Sequence, residues 1–373
     1  MSRIACVVSA RPNHMKIKPI TDALEERGAE AILVHIGQHC DRAMNDVFFE
    51  DLGIRRLDRH LEIGSGTPAE RTARTMLAFE PVFLELRPDI VVVVGDGNST
   101  LSCALVAAKG GALVAHVEAG LRSGDRSMPE ELNRVAVDRV SDVLLVASAD
   151  GMANLRAEGY RRDQTYLVGN VMVDTLMANL DRARTRPILT ELGLARRGFG
   201  LVTLHRRGNV DDEQVLTSVL EALDEVGRKL PLVFPVDPRT RARLRGRTPA
   251  GVLLTDPLRY LDFVALEDSA AIVLTDSGGV QAETTALGVP CLTLRRNTEW
   301  PVTTVEGTNR LVGCDPKRIV RAASEALEQP PRSTMPELWD GRSRERIAEV
   351  LLSVATSSDR TRPTDHYRTD QDL

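Results

Sequence analysis

The sequence predicts an α/β protein of two Rossmann-like domains facing a central cleft, and three observations carry that expectation. Short apolar runs rich in β-branched residues alternate with helical patterns along nearly all of the 373 residues, which signals βαβ units and parallel sheets. The runs fall into two series separated by a polar stretch. Charged or small-residue loops follow several strands directly, where open α/β sheets bind their ligands. A chain of this length is also too long for one ordinary core.

The first series reads Ile4–Val8, Ala31–Ile36, Ile90–Val94, Leu113–Val117 and Val143–Ala147. The second reads Gly200–Leu204, Leu232–Val236, Val252–Leu254, Ala271–Leu274 and Pro290–Leu294. Runs such as Val91–Val94 lack polar alternation, so they predict central strands covered on both faces. Between the series, a helical stretch and the arginine-rich RARTRP run form the connection, giving domains 1–170 and 171–355. Residues 342–353 have helical periodicity, and the polar tail 356–373 reads as disordered.

Composition narrows the function. A net charge of −5 argues against nucleic acid as partner, because backbone binding needs a basic footprint. Five scattered cysteines without CxxC spacing predict reduced thiols rather than disulfides or zinc, and no histidine spacing predicts a metal. No apolar run is long enough to span a bilayer, and the N-terminus lacks a signal-peptide pattern. The expectation is a cytoplasmic enzyme with no membrane partner. GxGxxG, GxSxG and Walker A sequences are missing, so no nucleotide cofactor or covalent hydrolysis is predicted.

The most informative stretch is HVEAGLRSGDRSMPEELNR, His116 to Arg134. Asp96 and Glu118 follow neighbouring strand-like runs, and Pro129 opens a helix whose first turn carries Glu130 and Glu131. One acid of that last pair is expected to be only a dipole partner. Leu132, Val135, Ala136 and Val140 mark the expected buried face of the helix. Acids converging from separate elements predict proton transfer. After the first strand, Arg11 and Lys16 flank Pro12 at a helix start, which suits phosphate, although two solvated charges would look the same. In the second half, Ser277, Gly278 and Gly279 lie between a strand and a helix and offer backbone N–H groups to an anion. Glu283 sits one turn later, placed for a ribose diol. His205, Arg206 and Arg207 follow a strand and suit a negatively charged ligand. Tyr260 is expected in the core, and Phe263 lies near it in sequence.

These motifs in this order resemble the non-hydrolysing UDP-N-acetylglucosamine 2-epimerases. The matching blocks include SARPNHMKIKPI, PDIVVVVGDGNSTLSCALVA, HVEAGLRSGD, MPEELNR, LVTLHRRGN and TDSGGVQAETTALGVPCLTLR, within residues 9 to 347. The resemblance implies a glycosyltransferase-B-type fold whose last helix returns to the first domain, a homodimer, and interconversion of UDP-GlcNAc and UDP-ManNAc without a cofactor. It assigns Asp96, Glu118 and Glu130 to acid/base roles and His205 to the departing UDP. It assigns Arg11, Lys16, Arg206, Ser277, Gly278, Gly279 and Glu283 to UDP, and Phe263 to uracil. Relatives activated by a second UDP-GlcNAc carry basic or polar pairs where this chain has Cys40, Asp41, Ser65 and Gly66, and histidine where it has Asp237; Gln38 and Arg206 remain. That pattern predicts turnover without an activator. Competing expectations are a hydrolysing epimerase, a glycosyltransferase and a catalytically silent sugar-nucleotide binder.

Overall fold

The computed structural model describes residues 2–9, 11–37, 50–54, 57–331 and 334–356. The chain divides into two compact units, one taking it up to Thr175 and again from Glu337, the other running Leu176–Pro336.

The first unit is built on a parallel sheet of β1 (Arg3–Val8), β2 (Glu30–Gly37), β3 (Arg59–Glu62), β4 (Ile90–Val94), β5 (Leu113–Ala119), β6 (Val143–Val146) and β7 (Thr165–Leu167). Its order is β3-β2-β1-β4-β5-β6-β7, which reverses direction between β1 and β4. β4 shows why its sequence does not alternate. Val91 and Val93 join a core with Phe79 and Phe83 on one face, while Val92 and Val94 join Ile17 and Ile20 on the other. Each such side chain, fully buried, contributes about 1.5–3 kcal/mol.

The second unit carries β8 (Gly200–Thr203), β9 (Leu232–Pro235), β10 (Val252–Thr255), β11 (Ile272–Thr275), β12 (Cys291–Thr293) and β13 (Asn309–Leu311). They are parallel in the order β10-β9-β8-β11-β12-β13, with the reversal between β8 and β11. All ten strands expected from apolar runs are present. The three unexpected ones, β3, β7 and β13, are all edge strands, where one neighbour is missing and a continuous apolar run is not needed.

The helix Ser343–Thr356 belongs to the first unit, with Ile347 and Leu351 in the same core as Ile17 and Ile20. Asp174 accepts from the Arg344 N–H at 2.6 Å, and the Trp339 indole donates to the Ala147 carbonyl at 2.9 Å. The unit boundary falls inside the helix Val171–Arg184, whose first turn is tied to the first unit by Thr175 donating to the Met15 carbonyl. Arginines of the RARTRP run pair within the second unit, Arg184 with Asp268 and Arg186 with Asp262.

One expectation fails. In the helix Pro129–Val140, Leu132 and Val135 are exposed, and the buried residues are Glu131, Arg134, Val137 and Asp138. The inward face is mostly polar: Val137 packs in the core with Val91, Val93 and Val114, while Asp138 binds His116 of β5 and Glu131 and Arg134 bind the loops after β5 and β4. Among the described residues no helix is long and apolar enough to cross a membrane, no cluster suits a metal ion, and Cys6, Cys103 and Cys291 are buried outside any disulfide. The expected tail, Arg11's side chain, Gln38, Cys40 and Asp41 lie outside the described residues.

Candidate active site

In the first unit, chemistry gathers at the carboxyl ends of β1, β4 and β5, beside the reversal of strand order, where such sheets bind ligands. The last turn of β5 is irregular. Its register against β6 shifts between Val117 and Ala119, and Glu118 takes φ +70°, a left-handed conformation that costs a non-glycine residue roughly 1–2 kcal/mol. The bulge aims Glu118 at Lys16, whose Nζ lies 2.6 Å from Oε2 with both side chains almost fully buried. The other oxygen, Oε1, is buried and has no hydrogen-bond partner among the described residues. A carboxylate fixed by one oxygen with the other open is suited to taking a proton. Lys16, expected at a diphosphate, is therefore engaged by Glu118.

Asp96 follows β4, and the Gly95 N–H donating to the Val117 carbonyl at 3.3 Å ties its loop to that of Glu118. The Asp96 carboxylate pairs with the buried Arg134 and remains partly exposed. Of the two first-turn acids, Glu131 is the structural one: it accepts from the N–H groups of Ser123 and Gly124, each at 2.9 Å, and from the Ser123 hydroxyl. Glu130 is exposed and makes no hydrogen bond or ion pair among the described residues. The structure thus joins Asp96 and Glu118 through neighbouring loops and Lys16 to Glu118, while Glu130 stands exposed at the start of the helix whose Asn133 and Arg134 bind Asp96. Nearby His14 is held down to about 3 by burial and by His35, so it is neutral.

In the second unit the corresponding place is the end of β8 and β11, adjacent strands on either side of the order reversal. Asp276, fully buried, organises it. Its carboxylate accepts from the N–H groups of His205 and Arg206, from Asn209, and lies 3.2 Å from His205 Nδ1. His205 is half exposed, with Nδ1 turned to Asp276. Arg206 donates to the Asp276 carbonyl at 2.9 Å and pairs with Glu299 at 2.8 Å. Ser277 caps the helix Gly278–Leu287, whose start presents the N–H groups of Gly278 and Gly279. A Cβ on Gly278 would lie 2.4 Å from Glu299 Oε1, so a larger residue there would push that carboxylate aside. A histidine, an arginine and a helix N-terminus side by side form an anion cradle.

Glu283, one turn into that helix, is buried beside Tyr260 and Glu267. Phe263 is half-buried on the helix Tyr260–Ser269, and Tyr260 is buried. Burial, followed by Glu283 and Asp268, pushes the Glu267 carboxyl far above the usual range. Sequence reasoning missed Asp276, although it directly precedes the Ser-Gly-Gly loop. It also missed Arg134 and the buried partners of His116, which become visible only when distant segments meet.

A family model described as UDP-N-acetylglucosamine 2-epimerase matches residues 22–352. This chain belongs to that family. The family member from Methanocaldococcus jannaschii called UDP-N-acetylglucosamine 2-epimerase is 38% identical over 94% of this chain and 98% of that protein. A Pseudomonas aeruginosa protein called UDP-2,3-diacetamido-2,3-dideoxy-D-glucuronate 2-epimerase is 41% identical, covering 94% of this chain and all (100%) of that protein. The crystal structure of the M. jannaschii UDP-GlcNAc 2-epimerase in complex with UDP-GlcNAc and UDP is similar at a TM-score of 0.88 and 37% identity, covering 94% of this chain and 99% of that chain. The two parallel-sheet units place this epimerase in the glycosyltransferase-B fold class.

Proposed function

We propose that this epimerase is of the non-hydrolysing kind and interconverts UDP-GlcNAc and UDP-ManNAc by eliminating and re-adding UDP. The C2 proton of a 2-acetamido sugar has no adjacent carbonyl to acidify it, so removing it alone is too slow. Elimination solves this: a carboxylate takes the C2 proton, the C–H electrons form the C1=C2 bond, and the C1–O pair leaves with UDP. The product is 2-acetamidoglucal. Protonation at C2 from the opposite face and attack of the UDP oxygen on C1 then give the epimer.

The observation that carries this reading is Glu118, strained into place with one oxygen on Lys16 and the other open. Asp96 on the neighbouring loop, and Glu130, supply the remaining acid/base groups. In the second unit, His205, Arg206 and the Ser277–Gly279 helix start match the charge of a departing diphosphate. In this reading Arg11 adds a cation, Glu283 holds the ribose and Phe263 flanks uracil. Activation by a second UDP-GlcNAc is not expected. Asp237 caps the helix Pro238–Leu244 through the N–H groups of Arg239 and Thr240, so an anion sits where activated relatives carry histidine. The exposed Leu77, Leu84, Leu132 and Val135 lie on helices Pro68–Leu86 and Pro129–Val140, which flank the helix Asn98–Lys109. This apolar face is the proposed homodimer contact.

A diacetamido-uronate substrate is the second reading, favoured by the 41% identity to the Pseudomonas aeruginosa relative. Incubating the enzyme with each UDP-sugar and following products by proton NMR tests both. UDP-ManNAc as the product, with a hyperbolic rate curve, supports the proposal. Free ManNAc with UDP overturns the non-hydrolysing assignment, and turnover of the uronate alone overturns the substrate.

A further inference from the structure

The histidine of the HVEAGLR motif is fully buried, and both its ring nitrogens face acceptors. His116 Nδ1 lies 2.6 Å from Asp138 Oδ1, and Nε2 lies 2.9 Å from the Gly95 carbonyl oxygen. A carbonyl can only accept. Asp138 is held as a carboxylate by the Arg122 guanidinium and the Gly120 N–H on its other oxygen. Both ring nitrogens must therefore donate, which makes His116 an imidazolium in the interior.

Its charge is matched in full. Asp138 Oδ2 accepts from the Gly120 N–H at 3.1 Å and pairs with Arg122 at 2.7 Å. Arg122 in turn forms a two-pronged pair with Glu158 at 2.7 and 2.8 Å. A buried ionic network of this kind gives little net stability, but it specifies one arrangement when every member is satisfied.

That arrangement brackets the two acids. Gly95 immediately precedes Asp96, and Gly120 follows Glu118 by two positions. Gly120 is itself at φ +80°, and a Cβ there would meet the Gly151 carbonyl at 2.4 Å. The left-handed Glu118 thus stands between two anchored glycines, and a strained conformation persists only where its surroundings over-determine it. The helix that carries Asp138 also sends Asn133 to the Asp96 carbonyl at 2.9 Å.

We propose that His116 and Asp138 are positioning residues, whose buried imidazolium–carboxylate pair locks the Gly95–Asp96 turn to the Glu118–Gly120 turn and fixes the spacing of the two acids. The inference rests on the reading of Asp96 and Glu118 as proton-transfer groups.

Two measurements test it. Nitrogen-15 NMR of the intact protein should show one histidine ring doubly protonated at pH 7, with Asp138, Arg122, Glu158 and Tyr160 the ionisable groups around it. A ring that is neutral at pH 7 overturns the proposal, whether or not any variant folds. In kinetics, His116→Gln and Asp138→Asn should lower kcat per folded molecule about 10²-fold, the loss expected for a reacting group misplaced by about an ångström. KM and the affinity for UDP should stay within about threefold, because the anion cradle belongs to the other unit. The double variant His116→Gln/Glu118→Gln should be no slower than Glu118→Gln alone, since a positioning residue has nothing left to position. A kcat near wild type, a matching loss of UDP affinity, or simple additivity in the double variant contradicts the proposal. If the wild type itself fails to exchange the C2 proton, the acid/base reading falls, while the ring's charge state is still decided by NMR.

Discussion

Replacing Glu118 by glutamine removes one proton acceptor and almost nothing else. The amide keeps the length of the side chain and can still accept from Lys16 Nζ, now 2.6 Å from Oε2. Its NH2 group would take the place of the open Oε1, which has no described partner. Two costs can then be separated. Removing the carboxylate charge weakens a hydrogen bond to a charged donor, worth about 1.5–3 kcal/mol in a buried setting. Removing general base catalysis should lower turnover about 10²–10⁴-fold. At about 1.4 kcal/mol per tenfold, that is roughly 3–5 kcal/mol on the barrier. The assay is kcat for UDP-GlcNAc epimerisation, normalised to folded protein by circular dichroism and a thermal melt. The expected variant melts a few degrees lower, binds UDP normally and turns over at least about 100-fold more slowly. Glu118→Gly serves as a control: it relieves the left-handed strain at φ +70° yet should be just as inactive. A Glu118→Gln enzyme with kcat within about threefold of wild type would remove Glu118 from proton transfer, and with it the argument from the open oxygen.

Two further outcomes follow from the structure. Glu267 is fully buried, neither of its carboxyl oxygens has a described partner, and burial together with Glu283 and Asp268 raises its carboxyl far above the usual carboxyl range. The folded state therefore keeps a proton that the unfolded chain releases, and this contribution to stability is lost as pH rises above the ordinary carboxyl range. Glu267→Leu should raise stability by about 1–3 kcal/mol at pH 8, with a smaller gain at pH 4. An equal or greater gain at pH 4 in chemical denaturation would contradict the sign. For the proposed dimer, Leu77→Lys combined with Leu132→Glu places charges on the exposed apolar face and should yield a monomer by analytical ultracentrifugation. A wild-type-like dimer would locate the contact elsewhere.

How much of this was legible in the sequence depends on the range of the interaction. Val91–Val94 announces a central strand because both its faces are covered, and that signal is local. Arg59–Glu62 is invisible by the same logic, since its burial is only partial and it lies at a sheet edge. The acids could be found because they follow such strands directly. The polar inward face of the helix Pro129–Val140 could not, because Glu131, Arg134 and Asp138 find their partners on β5 and on the loops after β4 and β5. Apolar Leu132 and Val135 then misled, because they face outward. The left-handed Glu118 leaves no compositional trace, since glycine is the residue ordinarily expected at positive φ. Asp276 was readable in principle: an acid between a strand and a Ser-Gly-Gly helix start is placed to hold neighbouring N–H groups, as it does for His205 and Arg206.

The claim beneath these arguments is that one sugar carbon loses and regains its proton while UDP is detached. Turnover of UDP-GlcNAc by the wild-type enzyme in deuterium oxide, with C2 followed by NMR, measures it directly. The expected result is a UDP-linked product carrying deuterium at C2. A UDP-linked epimer that forms with its original hydrogen still on that carbon would contradict it.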